Sequence, residues 1–213
     1  MKPAKKPVIF ISSTVYGIEE LLERLYTLLT AFGYEVWLSH KGTVPVLSNK
    51  TAFENCMAAV EKCDLFLGLI TPYYGSGVDE EDGISITHKE LKTALELNKP
   101  RWLLSHDHVV FARSFLEKLG HKTAADRKKL TLAHSPIFGD LRVIDMYEEA
   151  VLSQTPLRDR QGNWVQKYQS TEDALLFTTA QFSRFQEVEA FIHENLSNPV
   201  QFAKASKTKG ATS

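Results

Sequence analysis

The stretch Leu65-Phe-Leu-Gly-Leu-Ile70 is a continuous apolar run. It predicts a strand covered on both faces, because a strand with one wet face alternates apolar and polar residues. Similar short runs occur at residues 8–12 (VIFIS), 34–38 (YEVWL) and 101–104 (RWLL). With helical patterns between them, the order is βαβαβαβ, which predicts a parallel α/β sheet with right-handed connections.

Three helices are predicted between these strands. Apolar residues recur at three- and four-residue spacing over about residues 18–32, 51–62 and 86–97, so each segment has one apolar face. Thr51-x-x-Glu54 has the spacing of a capping box at the start of the second helix. These helices are long enough to serve as crossovers between parallel strands.

The second half of the chain has a weaker pattern. Residues 109–130 predict a helix broken near Gly120, residues 141–151 predict a strand, and residues 164–168 predict its hairpin return. One or two helices are expected over residues 171–196, with buried positions at Phe182, Phe185, Val188, Phe191 and Ile192. This half therefore predicts an α+β elaboration of the sheet.

The length of 213 residues fits one domain. We expect a single domain over residues 1–200, with its core at about 7–105, an elaboration at about 106–197 and a flexible tail at 198–213. Cys56 and Cys63, the two cysteines, lie two helical turns apart, so we expect reduced core thiols rather than a disulfide.

The composition limits the classes of partner. A formal net charge of −1 gives no basic surplus, so direct nucleic-acid binding is not expected. No apolar run approaches the roughly 20 residues that span a bilayer, and the basic N-terminus has no secretory apolar region. We expect a cytoplasmic protein without a membrane partner.

A ligand site is expected at the carboxyl edge of the sheet, where the strand order reverses. The segment after the first strand contains Ser12, Ser13, Thr14 and Tyr16. Its hydroxyls and N–H groups suit a phosphate or a ribose, although serine and threonine are also common helix caps. The segment after the third strand offers Tyr73 and Tyr74 as stacking surfaces for a base, with Gly75 allowing close approach. Alternatively, this turn only packs on the domain edge.

Glu90 has two interpretations. Thr87-His-Lys-Glu90 matches a capping box, in which the carboxylate bonds to the Thr87 amide. In the same position the helix dipole favours the anion, so the group is expected to stay ionised at neutral pH and to suit stabilisation of an oxocarbenium ion on ribose. Ser85 opens the same helix and is a further candidate for ligand binding.

Histidines are the other candidates for chemistry. His88 is a candidate proton donor or base-stacking partner, but its place beside Lys89 also fits an exposed helix start. His106 and His108 are spaced like zinc ligands, yet no third ligand has matching spacing. We therefore predict no metal site.

The first half resembles a known family. Val8-Ile-Phe-Ile-Ser-Ser-Thr14 followed by Gly33-Tyr34, and Gly83-Ile-Ser-Ile-Thr-His-Lys-Glu90 followed by Ala94 and Asn98-Lys-Pro100, are similar to the two signatures of the bacterial "ISST" domain of unknown function. The resemblance covers roughly residues 7–105. Its wider superfamily includes TIR domains and nucleoside deoxyribosyltransferases, and it implies a flavodoxin-like, TIR-like fold.

The resemblance also implies a chemistry. In those relatives a glutamate at the start of the corresponding helix acts on a ribosyl carbon, and TIR enzymes cleave NAD at the nicotinamide–ribose bond. By position that glutamate is Glu90, while Ser12, Ser13 and Thr14 would line the sugar or phosphate site and Tyr73 would flank the base. One departure is Gly17, which stands where the family usually has an acidic residue.

The resulting prediction is a nucleotide N-glycosidase or ribosyl transferase in bacterial signalling or antiviral defence. Its expected ligand is a nucleotide, with NAD as the leading substrate and no separate cofactor. The alternative is a non-catalytic adaptor or sensor that binds a nucleotide or a protein and acts through self-association, as a homo-oligomer or with a signalling partner.

Overall fold

The central sheet has the strand order β2-β1-β3-β4-β5, and all its strand pairs are parallel. This is the flavodoxin-like arrangement of a doubly wound sheet, so the predicted fold class is confirmed. The computed structural model describes residues 6–75, 77, 83–133, 135, 137–184, 187, 188 and 190. The strands are β1 (Val8–Ser13), β2 (Glu35–Leu38), β3 (Leu65–Ile70), β4 (Arg101–His106) and β5 (Val165–Tyr168).

Helices cover both faces of this sheet. One apolar cluster joins Phe10 and Phe66 to the helices on one face, and another joins Ile9 and Leu67 to those on the other. Every residue of β3 is buried, which explains its uninterrupted apolar sequence. The helices are α1 (Glu19–Ala31), α2 (Ala52–Lys62), α3 (Ile86–Glu96), α4 (Asp107–Lys118), α5 (Ala124–Arg127), α6 (Arg142–Ala150) and α7 (Thr171–Phe182).

The first half follows the sequence pattern closely. The predicted capping box at the start of α2 is present, since Thr51 Oγ1 accepts from the Glu54 N–H and Glu54 accepts from the Thr51 N–H. Both cysteines are free, with Cys63 buried and Cys56 half-buried, as expected. Among the residues described, no helix combines the length and the apolar character that crossing a bilayer requires.

Two predictions for the second half are wrong. The segment predicted as a strand forms helix α6 (Arg142–Ala150), because Val143, Ile144, Met146 and Ala150 recur at helical spacing and are buried on one face. Residues 165–168 are not a hairpin return but a parallel edge strand paired with β4. The predicted break near Gly120 is confirmed, since α4 ends at Lys118 and α5 begins at Ala124.

The last helical segment is partly described. Phe182 is fully buried and packs against Tyr34 and Trp102, with ring centroids 5.8 and 4.9 Å away. Val188 is buried as predicted. The predicted core positions Phe185, Phe191 and Ile192, and the tail at 198–213, lie outside the described residues.

We predict that Phe182→Ala lowers the free energy of unfolding by about 3–5 kcal/mol, because it removes a buried aromatic ring. Leu176→Ala, an exposed position on the same helix, should change it by less than about 0.5 kcal/mol. Urea denaturation of both variants and wild type measures this. Two separate transitions, with only one shifted by Phe182→Ala, would contradict packing of α7 into a common core.

Candidate active site

A hollow lies beyond the carboxyl ends of β1 and β3, where the strand order reverses. Its volume is about 610 Å³, which is within the range of small-ligand sites. The residues around it come from four separated segments of the chain: Ser13, Thr14, Val15, Tyr16 and Glu19; Tyr73, Tyr74, Gly75 and Gly77; Ser85, Ile86 and Thr87; Gly139 and Asp140.

Hydrogen bonds hold the first two segments together. Thr14 Oγ1 donates to the Tyr73 carbonyl at 2.7 Å and lies 3.1 Å from Thr71 Oγ1. The Tyr73 N–H donates back to Thr71 Oγ1 at 3.2 Å. Gly75, with φ of +95°, lets this turn approach, because an added Cβ would lie 3.0 Å from the Thr14 methyl group. The rim of the hollow is therefore built from paired loops.

Two tyrosines form the outer wall. Tyr16 is 66% exposed and meets Tyr73 edge to face, with ring centroids 5.4 Å apart. Gly17 has φ of +82°, and a Cβ there would come within 2.9 Å of the Tyr73 ring. An acidic side chain at position 17 would therefore displace Tyr73, which gives a physical reason for the glycine at this point.

Glu90 lies behind the hollow rather than on its surface. The side chain is 5% exposed, and it accepts a hydrogen bond of 2.5 Å from Ser12 Oγ. The Cys56 thiol also bonds to it. Ser12 is itself buried, so neither residue lines the hollow, although both were predicted to face the ligand.

The predicted capping box at Thr87 is wrong. The N-cap of α3 is Ser85, whose side chain accepts from the His88 N–H at 3.3 Å. Glu90 therefore lies beyond the first turn, where the helix dipole has faded. Burial instead raises the pKa of Glu90 to about 7, against the lowering effect of the Ser12 and Cys56 hydrogen bonds. The sequence predicts that this group stays ionised at neutral pH, whereas a pKa of about 7 leaves it only partly ionised there.

His88 is buried within a hydrogen-bonded chain. Its Nδ1 lies 2.7 Å from Tyr74 Oη, and its Nε2 lies 3.1 Å from Glu149 Oε2. Tyr74 Oη accepts from the Ser85 N–H, so the Tyr74 hydroxyl can donate its own proton to His88 Nδ1. The other ring nitrogen of His88, Nε2, then carries the proton and donates it to the Glu149 carboxylate. His88 is thus neither exposed nor within reach of a base in the hollow.

Tyr74 is less available than predicted. It is 5% exposed, and the Arg142 guanidinium lies over its ring at 4.5 Å from the centroid. Arg142 also forms an ion pair with Asp140. Burial raises the pKa of Asp140, but the hydrogen bonds and charge of the Arg142 guanidinium outweigh burial, so this pKa is lowered overall. Tyr73 and Tyr16 therefore remain as the stacking surfaces, and Asp140 is an acid at the rim that the sequence pattern did not reveal.

Of the predicted residues, the structure brings seven to the hollow and leaves three beneath it. At the hollow are Ser13, Thr14, Tyr16, Tyr73, Tyr74, Gly75 and Ser85. Beneath it are Ser12, His88 and Glu90. The rim acids Glu19 and Asp140 were not predicted; Glu19 follows the Ser-Ser-Thr segment closely, whereas Asp140 carries no local signal.

Comparison with known proteins identifies the family. Residues 8–197 match the family described as "Domain of unknown function (DUF4062)". The chain belongs to the DUF4062 family. The "ISST" label expected from the sequence is not confirmed, and no curated protein matches the chain.

Three solved structures resemble this DUF4062 chain at low identity. Clostridium botulinum CMP N-glycosidase, BcmB, is 15% identical over 81% of this chain and 98% of its own, with a TM-score of 0.43. The 2-deoxyribosyltransferase of Bacillus psychrosaccharolyticus is 20% identical over 46% and 72%, with a TM-score of 0.33. A conserved protein from Enterococcus faecalis V583 is 12% identical over 83% and 99%, with a TM-score of 0.39.

We predict that Glu90→Gln changes the pH dependence of stability. Between the ordinary pKa of 4.5 and the folded pKa of about 7, the folded chain binds more protons than the unfolded chain, so the wild type loses stability as pH rises. The full loss is about 3 kcal/mol. The variant should therefore gain stability relative to wild type between pH 5 and pH 8.

Thermal or urea denaturation at both pH values measures this difference. Glu96→Gln, which replaces an exposed acid on the same helix, is the matched control and should follow wild type. Parallel pH dependence in wild type and Glu90→Gln would show that Glu90 ionises as an exposed acid does.

Proposed function

We propose that this chain binds a nucleotide in the hollow and cleaves or transfers its N-glycosidic bond, with Glu90 as the reacting carboxylate. The observation that carries the proposal is the position of Glu90. A buried carboxyl with a pKa of about 7 is held by Ser12 at the carboxyl end of β1, directly behind a hollow at the point where strand order reverses.

The rim of the hollow suits the parts of a nucleotide. Ser13 and Thr14 line the hollow, and because their hydroxyls donate to the Thr14 and Tyr73 carbonyls, their oxygens are left to accept hydrogen bonds from ribose hydroxyls. Tyr16 and Tyr73 offer ring faces to a base, and each stacked base is worth about 1–3 kcal/mol. Glu19 and Asp140 place carboxylates at the same rim, where they can accept hydrogen bonds from ribose hydroxyls.

The proposed reaction needs Glu90 in its ionised form and in contact with the sugar. The bond from C1′ to the base nitrogen breaks, its electron pair leaves with the base, and a carboxylate oxygen bonds to C1′. Water or a second acceptor then replaces the carboxylate. Because the pKa of Glu90 is about 7, part of the population carries the ionised carboxyl at neutral pH, and the reaction then requires movement of this side chain from Ser12 toward the hollow.

NAD is the leading substrate in this proposal. Its nicotinamide carries a positive charge and departs as a neutral base, so no proton donor is needed at the leaving group. Cytosine in CMP would need protonation as it leaves. With His88 turned toward Glu149, a leaving group that needs no acid fits this site better. Resemblance to TIR domains supports the same substrate, with a role in bacterial signalling or antiviral defence in the cytoplasm.

We predict that purified protein releases nicotinamide from NAD and that Glu90→Gln does not. The acid limb of kcat/KM against pH should lie near pH 7, because only the ionised carboxyl reacts and its pKa is about 7. Chromatography of the products, with CMP and deoxynucleosides as parallel substrates, measures the turnover and the preferred base.

Glu96→Gln is the control and should retain activity, since Glu96 is exposed and does not line the hollow. Calorimetry with NAD should show that Tyr73→Ala weakens binding by about 1–3 kcal/mol. Turnover in Glu90→Gln equal to wild type would remove Glu90 from the reaction. Absence of both binding and turnover for every substrate would reject the proposed function.

The alternative function is a non-catalytic adaptor that acts through self-association. The observation that favours it is an exposed apolar strip on α4 and its C-cap, formed by Phe111, Phe115 and Leu119 at 69%, 52% and 57% exposure. These residues are four apart and share one helix face, and the two phenyl rings are stacked with centroids 6.0 Å apart. Such a strip can pair with the same strip of a second copy.

If self-association uses this strip, Phe111→Glu should convert a concentration-dependent dimer into a monomer. Light scattering after size-exclusion chromatography measures the mass. Leu157→Glu, at another exposed apolar position, should leave the mass unchanged. A wild-type monomer at every concentration would contradict the adaptor proposal.

A further inference from the structure

A group of three metal-binding side chains lies where β4 passes into α4. His106 ends the strand and caps the helix, while Asp107 and His108 form its first turn. Each residue brings one ligand atom to a place where all three atoms lie within 4.8 Å of one another. The spacing of the two histidines predicts no third ligand, but the Asp107 carboxylate between them supplies a third donor in the folded chain.

The distances within this group suit a shared cation. Asp107 Oδ1 lies 3.1 Å from His106 Nδ1 and 4.0 Å from His108 Nε2. Two ligands bound at about 2.1 Å to a tetrahedral zinc ion lie about 3.4 Å apart. The observed separations lie on either side of that value, so small side-chain rotations would bring the atoms to coordination distance.

Asp107 has a carboxylate oxygen within this group that is unpaired in the described part of the chain. His106 Nδ1 accepts a hydrogen bond from the His108 N–H at 3.2 Å, so it carries no proton to give to Asp107. Asp107 Oδ1 is buried and has no hydrogen-bond donor among the described residues. A bound cation would satisfy this carboxylate, and its coordination by His106 Nδ1 would use the lone pair that otherwise accepts from the His108 N–H.

Packing fixes one of the ligands. The Tyr168 ring, at the end of β5, meets the His106 ring edge to face with centroids 5.2 Å apart. The His106 side chain is 18% exposed whereas that of His108 is 61% exposed, so one side of the group is open to water.

We propose that His106, Asp107 and His108 form a binding site for a divalent transition metal of the zinc class. Imidazole nitrogens with one carboxylate oxygen suit zinc and its neighbours better than calcium or magnesium. Three protein ligands leave a fourth position for water or for an anionic oxygen of a ligand. None of the three residues lines the hollow, so this site is separate from the proposed nucleotide site.

The test is metal binding by the purified full chain after treatment with a chelator. Calorimetric titration with Zn²⁺ should give one site per chain, and Co²⁺ should give the visible absorption of a low-symmetry nitrogen and oxygen site. Zn²⁺ should also raise the melting temperature. Loss of an outer-shell partner weakens metal binding by roughly 10–100-fold, so His108→Ala and Asp107→Asn should each weaken it at least as much.

His40→Ala removes an exposed histidine elsewhere and should leave the affinity unchanged. Circular dichroism confirms that the variants are folded, and exposure of His108 makes its replacement structurally mild. Equal Zn²⁺ affinity in wild type, His108→Ala and Asp107→Asn would overturn the proposal, as would the absence of a site in the wild type. Neither result depends on whether the chain cleaves a nucleotide.

Discussion

The hydrogen bond from Ser12 to Glu90 is the interaction on which the site depends. It joins residues 78 positions apart in the sequence and connects the end of β1 to α3 in the interior of the protein. A neutral carboxyl bonded to a hydroxyl is tolerated there, whereas an isolated anion is costly. The bond therefore holds Glu90 in place and, with burial, sets the pH range in which it can ionise.

The loops after β1 and β3 form a polar hollow next to Glu90 while the Glu90 side chain stays buried. Thr14 ties the loop after β1 to the loop after β3, and Gly17 and Gly75 remove the side chains that would hold these loops apart. Burial of the Glu90 carboxyl, which raises its pKa, lowers the free energy of unfolding at neutral pH relative to an exposed acid.

Sequence patterns were most reliable where structure is local. The strands and helices up to β4 follow from apolar spacing, and Thr51 caps α2 as its spacing predicts. The choice between Ser85 and Thr87 as the cap of α3 could not be made in this way. Both are hydroxyl residues near the helix start, and in the folded chain Ser85 accepts from the His88 N–H while the neighbouring Ile86 N–H bonds to the distant Gly77 carbonyl.

The sequence by itself determined the parallel α/β order, the double-sided burial of β3 and the two loops that reach the carboxyl edge, because these depend on short-range spacing. Only the tertiary structure decided the raised pKa of Glu90, the pairing of His88 with Tyr74 and Glu149, and the grouping of a carboxylate with two histidines after β4. Burial and hydrogen-bond partners set the charge of these groups, and both are supplied by the packing of the folded chain.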